Sequence, residues 1–180
     1  MRVVAGRFGG RRIATVQGDA TRPTTDRVRE ALFSILGPLD GMRVLDLFAG
    51  SGALAIEALS RGAAHATLVE KDAWAAAVIE RNLETLDLAP EETQLLRMPA
   101  DRALRAARER GDAYDLVFLD PPYRQAPALG QQLAADLAAV LAPGARVVTE
   151  SDRRAPMDLP LPPPDERRYG DTLIRIHTIS

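Results

Sequence analysis

Asp46-Leu47-Phe48-Ala49-Gly50-Ser51-Gly52-Ala53-Leu54-Ala55 is the stretch that decides the fold. It ends an apolar run that reads as a strand over about 43 to 48, and it opens a helix-like stretch that runs to Arg61 and stops at Gly62. Glycine at 50 and 52 lets the backbone turn sharply and lets a ligand approach closely, with helix-terminal N–H groups facing it. Glu70 stands at the end of the next expected strand, 20 residues after Gly50, where one carboxylate can accept both hydroxyls of a ribose. A tight turn explains glycines alone. Strand, glycines, helix and spaced acid together describe a site for a nucleoside-containing cofactor.

Two such cofactors fit the frame, a nicotinamide dinucleotide and S-adenosylmethionine, and Asp46 separates them. A carboxylate at the strand-loop junction repels a pyrophosphate but accepts hydrogen bonds from an amino-acid ammonium group, directly or through water. S-adenosylmethionine carries that group and no phosphate. Phe48 within the loop and Lys71 beside Glu70 complete the expected cofactor-facing set. Asp101, after the third strand, is placed either to accept from an adenine amine or to cap the helix that follows, and both roles are compatible.

Outward from the loop, apolar runs near 66 to 70, 94 to 98, 115 to 120 and 145 to 150 alternate with helix-like stretches. Helices are predicted over 72 to 86, about 101 to 110, and 127 to 141, the last closed by Pro143-Gly144. This alternation is that of a parallel sheet with helices on both faces. Before it, Met1 to Val16 reads as a Gly-rich hairpin. Thr25 to Leu36 reads as an amphipathic helix with Val28, Ala31, Leu32, Ile35 and Leu36 inward and Arg27, Arg29 and Glu30 largely outward. At the far end, runs 166 to 169 and 172 to 178 flank Gly170-Asp171 as a terminal hairpin. Asn82 interrupts an apolar helix face and is expected to be a buried amide bonded to backbone; Trp74 is expected to pack in or beside the core.

The fourth strand ends in Asp120-Pro121-Pro122-Tyr123. In an open parallel sheet the carboxyl ends of central strands line the ligand crevice, so this loop belongs beside the cofactor loop. Two prolines remove two N–H donors and stiffen the turn, leaving acceptors on display: the Asp120 carboxylate and the Pro121 carbonyl. An aromatic ring at 123 can stack on a flat base. The exocyclic amine of a nucleobase is a poor nucleophile because its lone pair is delocalised. Acceptors gripping its N–H bonds hold the nitrogen in place and favour pyramidalisation.

Composition sets the outer bounds. The chain has 180 residues, 46% hydrophobic and 27% charged, which is a globular domain and neither collagen-like, disordered nor coiled-coil. With no cysteine and two histidines, disulfides, thiolate chemistry and a His-based metal cage are excluded, and no metal is expected. No apolar run approaches the ~18 residues of a membrane span, and the N-terminus does not resemble a secretion signal; a cytoplasmic protein without a membrane partner is expected. Residues 1 to 35 hold seven arginines against three acids, while the remainder holds 16 basic against 22 acidic residues. A basic arm on an acidic body suggests a polyanionic partner.

Asp46 to Gly52, Val69-Glu70-Lys71-Asp72 and Asp120 to Tyr123 resemble the class I S-adenosylmethionine-dependent methyltransferases, in which an Asp/Asn-Pro-Pro-aromatic loop marks those that methylate amino groups. Val4-Ala5-Gly6, Arg22-Pro23-Thr24-Thr25-Asp26-Arg27-Val28-Arg29-Glu30 and Tyr169-Gly170-Asp171-Thr172 resemble more specifically the RsmD family of 16S ribosomal RNA guanine-N2 methyltransferases. The resemblance spans nearly the whole chain. It implies a Rossmann-like α/β class I methyltransferase fold with a seven-stranded, mostly parallel sheet whose last strand is antiparallel. An N-terminal hairpin and helix extension over 1–36 would precede the S-adenosylmethionine-binding domain over 37–180. It further implies methyl transfer to the N2 of a guanine in 16S rRNA within an assembling small ribosomal subunit, with no obligate protein partner. Asp120, Pro121, Pro122 and Tyr123 would be the catalytic loop, and Arg22, Thr24 and Arg27 would meet the RNA. The Asp-Pro-Pro-Tyr loop also resembles that of adenine-N6 and cytosine-N4 DNA methyltransferases, so amino-methylation of DNA stays open, as does a non-catalytic RNA-binding module.

Overall fold

The computed structural model describes residues 1–16 and 25–180. Among them, one sheet is built from β1 (Arg43–Asp46), β2 (His65–Val69), β3 (Thr93–Leu96), β4 (Tyr114–Leu119), β5 (Leu141–Asp152), β6 (Asp165–Tyr169) and β7 (Thr172–Thr178). The strand order is β3-β2-β1-β4-β5-β7-β6. The first five run parallel, and β7 enters antiparallel between β5 and β6 as the returning arm of the terminal hairpin. The order reverses at β1 and β4, so the crevice of this sheet opens beyond the carboxyl ends of those two strands.

Helices cover both faces because successive strand residues point to opposite sides. Val44, Leu68, Leu116, Phe118, Val148 and Ile174 pack on one side with α1 (Asp26–Leu36), α2 (Ala53–Ser60) and Ile79 of α3 (Ala73–Thr85). Leu45, Val69, Val117, Leu119 and Val147 pack on the other with α4 (Ala100–Arg110) and α5 (Ala126–Ala139). Among the described residues, no helix is long and apolar enough to cross a membrane.

Four expectations change. The buried stripe of α1 is Arg29, Leu32, Phe33 and Leu36, at i, i+3, i+4 and i+7, so Ile35 turns outward and Arg29 turns inward. The helix ending at 141 stops instead at Ala139, and Pro143-Gly144 lies inside β5. There the register jumps from Tyr114↔Leu141 to Leu116↔Arg146, a bulge that absorbs a proline with no ladder hydrogen to donate. Trp74 is 72% exposed, because the buried face of α3 is Ala75, Ala76, Ile79 and Asn82. The N-terminal arm folds back as expected but is joined by one antiparallel bridge, Arg2↔Arg12, rather than by two strands.

The arm is nevertheless docked. Val3, Phe8 and Ile13 bury themselves against Ile56 and Leu86. The Glu57 carboxylate on α2 accepts from Val4 N (2.8 Å), Ala5 N (3.0 Å) and Arg61 Nε (2.9 Å), while Ser60 O accepts from Arg7 N at 2.9 Å. Gly6 passes so close that a β-carbon there would lie 1.8 Å from Ser60 O, so no other residue fits. Arg29 is fully buried beside this dock, donating to Arg2 O and Asp26 and lying 3.8 Å from Glu57.

Candidate active site

The strand-to-helix turn after β1 is pinned on both sides. Leu47 N donates to Phe118 O of β4 (3.1 Å) and Ala49 N to Val69 O of β2 (3.0 Å), so the loop spans the reversal point of the sheet. Its two glycines do different work. Gly50 has φ +57 and nothing within 4 Å of where a β-carbon would sit, so its open side is room for a ligand. Gly52, with φ +84, would set a β-carbon 3.2 Å from Leu68 and 3.4 Å from Ile56, so it serves the closeness of α2 to the sheet.

Glu70 braces this loop from the end of β2. Its Oε2 accepts from Gly50 N and its Oε1 from Asp72 N, both at 2.9 Å, and Asp72 in turn caps α3 by accepting from Ala75 N. Each carboxylate oxygen has a second lone pair, so Glu70 can accept ribose hydroxyls without releasing the loop. Asn82 braces it from below. Its Nδ2 donates to Ser51 O (2.9 Å) and to Ala14 O (2.9 Å), while its Oδ1 accepts from Ala14 N (2.7 Å). One buried amide therefore ties the arm to the loop, as its place on an apolar face predicts.

Three acids stand in a row at the carboxyl ends of adjacent strands: Asp46 on β1, Asp120 after β4 and Glu150 on β5. Asp46 is 1% exposed and its Oδ1 has no hydrogen-bond partner. Burial pushes its carboxyl up to about 7, with backbone donors at Phe48 and Ala55 pulling down and Glu70 pushing up. Burial likewise holds Asp120 well above the ordinary carboxylate range, reinforced by Glu150 and Asp46, although the residue keeps a partly exposed surface at the mouth of the crevice. An unpartnered buried acceptor costs free energy that a donating ligand recovers. Asp46 thus fits an ammonium group, and the open side of Gly50 fits a ligand lying along the loop.

The remaining predicted residues fall as follows. Phe48 is half-buried against the α4–α5 core, and Lys71 is exposed beside Glu70. Asp101 is half-buried in the first turn of α4 but does not cap it, since Pro99 holds that position. Its role as cap is therefore corrected, and it follows the end of β3 by five residues. Pro121 is buried, Pro122 O accepts from Gln125 N at 2.9 Å, and Tyr123 opens the short 3-10 turn Tyr123–Gln125. Arg27 is exposed in the first turn of α1, which Thr25 caps by accepting from Val28 N. Arg22 and Thr24 lie outside the described residues. Arg29, expected on the outward face of its helix, is a core ion-pair residue. Glu150 was not among the predicted site residues. Its signal was an acid at the end of the expected 145 to 150 strand, as at Asp46 and Asp120.

Comparison with known proteins covers the same ground. The family model described as Conserved hypothetical protein 95 matches residues 1–177. YlbH of Bacillus subtilis (strain 168), whose name marks it as a candidate rRNA methyltransferase, is 44% identical over 154 residues, 85% of this chain and 83% of that protein. Ribosomal RNA small subunit methyltransferase D of Escherichia coli (strain K12) is 40% identical over 126 residues, 69% of this chain and 61% of that protein. The solved structure of YhhF from Escherichia coli, titled as a candidate methyltransferase, superposes with a TM-score of 0.84 at 34% identity, covering 100% of this chain and 98% of that one.

Proposed function

Because the chain belongs to the family of Conserved hypothetical protein 95, the RsmD family, we propose that it methylates the exocyclic N2 of a guanine in 16S rRNA, within an assembling small ribosomal subunit, using S-adenosylmethionine. The observation that carries this reading is the adjacency of the two loops. Asp46 ends β1 with Gly50 in the turn after it, Asp120 and Pro121 directly follow β4, and these strands pair directly, Asp46 opposite Phe118.

S-adenosylmethionine supplies a methyl group made electrophilic by its sulfonium. The protein holds it with Glu70 accepting from ribose hydroxyls, Asp46 from the ammonium and Asp101 from the adenine amine, with Phe48, Gly50, Gly52 and Lys71 shaping the site. Asp120 and the Pro121 carbonyl accept from the two N2–H bonds and orient the nitrogen, Pro122 stiffens the loop, and Tyr123 stacks the base. A buried carboxylate with raised proton affinity is suited to take the proton that N2 releases, and Asp120 is that group. Such a base must leave its stack to reach a loop at a sheet edge. Arg22, Thr24 and Arg27 meet phosphate near the site and set the approach without reading sequence.

The test is incubation of the protein and labelled S-adenosylmethionine with undermethylated small subunits, naked 16S RNA and duplex DNA in parallel, followed by nucleoside analysis. Label in N2-methylguanosine from subunits is the expected result. Label in DNA adenine or cytosine, or in nothing despite cofactor binding, overturns the reading.

A further inference from the structure

The charge of the N-terminal arm suggests a polyanion, yet most of its guanidinium groups are engaged within the fold. Arg2 donates to Gly10 O at 2.7 Å, Arg7 pairs with Glu92, and Arg11 donates to Thr85 O, while Arg7 and Arg11 both lie over the Phe8 ring. Arg29, on the helix that follows, is buried on Asp26. Of the arm's arginines, Arg12 is exposed and has no such partner among the described residues. A cation held by an internal acceptor must break that contact before it takes a phosphate, so charge along the chain overstates what the arm offers to RNA.

Three arginines follow the carboxyl ends of β4 and β5, the edge of the sheet that carries Asp120: Arg124, Arg153 and Arg154. Arg154 is closed on Asp152 by two hydrogen bonds (2.9 and 2.7 Å), and Arg153 lies 3.5 Å from Asp171. Arg124 is exposed in the 3-10 turn directly after Asp120-Pro121-Pro122, with no hydrogen-bond or ion-pair partner among the described residues. Its backbone is held, since Gln125 N donates to Pro122 O at 2.9 Å and Ala126 is buried. Arg27 reaches the same edge from the other face of the sheet. Arg146, early in the regular part of β5, donates to Leu36 O, which sets the last turn of α1 at the amino edge and its first turn, with Arg27, at the carboxyl edge. A base drawn out of its stack enters the crevice while its sugar and phosphate stay at the mouth. We propose that Arg124 holds the phosphate of the extruded guanine nucleotide, at the mouth of the crevice and on the face of the sheet opposite Arg27. A guanidinium fork matches phosphate oxygens in pairs, and a grip available only to the extruded nucleotide offsets the cost of unstacking it. The inference rests on the reading of the protein as a methyltransferase for an RNA base and adds to it the residue that anchors the backbone of that nucleotide.

The experiment compares wild type, Arg124→Ala, Arg124→Lys and Arg154→Ala on undermethylated small subunits. For each, kcat/KM, the salt dependence of subunit binding and cofactor affinity are measured. Arg124→Ala is expected to lower kcat/KM by about 10- to 100-fold, the worth of one contact to a charged group. It is also expected to reduce the slope of log affinity against log salt by about 0.7, the share of one single-strand phosphate, with cofactor affinity unchanged. Arg124→Lys should restore the slope but only part of kcat/KM, because an ammonium has no fork. Arg154→Ala removes the same charge from the same edge and should leave both quantities near wild type. An Arg124→Ala protein with wild-type kcat/KM and slope overturns the proposal. Equal losses in Arg124→Ala and Arg154→Ala overturn it as well, since they mark the general field of the edge and not a contact. So does a matching loss of cofactor affinity in Arg124→Ala, which marks a structural role in the loop. If wild type forms N2-methylguanosine on no substrate, the underlying function fails and the anchor falls with it, an outcome visible before any variant is assayed.

Discussion

Glu57 and Asp46 are both buried acids within a few residues of the cofactor loop, and their surroundings are opposite. Glu57 accepts from two backbone N–H groups of the arm and from Arg61, with Arg29 at 3.8 Å. Asp46 has one oxygen with no partner and two further acids along the same strand ends. A buried charge is tolerated when its hydrogen-bonding capacity is filled from within, and the protein then uses it to specify a contact, here between the arm and α2. A buried charge left short of donors is tolerated when something outside the chain completes it. The difference separates an acid satisfied within the fold from one left short of donors more sharply than burial does.

That contrast can be broken by substitution, beginning where the effect is largest. Glu57→Ala leaves two backbone donors and Arg61 without their acceptor and removes one of the two acids beside buried Arg29, so a stability loss of about 3–5 kcal/mol is expected from chemical denaturation, whereas Asp46→Ala, which relieves a crowded acid, should cost far less. Equal losses would show that the two acids play the same part. Asp120→Asn should lower the single-turnover rate of methyl transfer on the order of 10²–10³-fold with cofactor affinity and denaturation midpoint nearly unchanged. Restored rates at high enzyme concentration would instead point to weakened substrate binding.

The smallest effect is the pH dependence of cofactor binding. The free protein holds a proton on Asp46 up to about pH 7, against an ordinary value of 3.8. Between those values the folded state binds more protons than the unfolded one, so this group's contribution to stability is full below 3.8 and lost as pH rises to about 7. An ammonium group needs the ionised form, so affinity runs the other way, rising with pH and levelling above about 7. Titration calorimetry at pH 6 and pH 8 should give roughly tenfold tighter binding at the higher value and a flatter response in Asp46→Asn. A wild-type affinity independent of pH would remove Asp46 from the ammonium site.

Much of the site is local and therefore legible in the chain. Asp46, Gly50, Glu70 and Asp120 each sit at the end of an apolar run, and in a parallel sheet strand ends gather at one crevice, so their convergence follows from order along the chain. The terminal hairpin is legible at Gly170-Asp171 for the same reason, since a turn between two runs is a short-range signal. What local pattern misses is rotation and pairing. A shift of one position in the apolar stripe of α1 carried Arg29 from the solvent to the core, because it is made tolerable by ion pairs with Asp26 and with Glu57 of α2 and by a hydrogen bond to the Arg2 carbonyl of the arm. The end of α5 was read from Pro143-Gly144, while the parallel ladder with β4 claims Leu141 as strand and bulges around the proline.

By itself the sequence determined the layer order, the glycine turn after β1 and the class of cofactor, because those depend on periodicity, glycine and residue type within short windows. The tertiary structure decided which charges are satisfied. Whether Glu57, Arg29 and Asn82 support the fold depends largely on partners 27 to 68 positions away. Such partners are set by packing, in a medium where an unmatched polar group is costly and its neighbours settle its role.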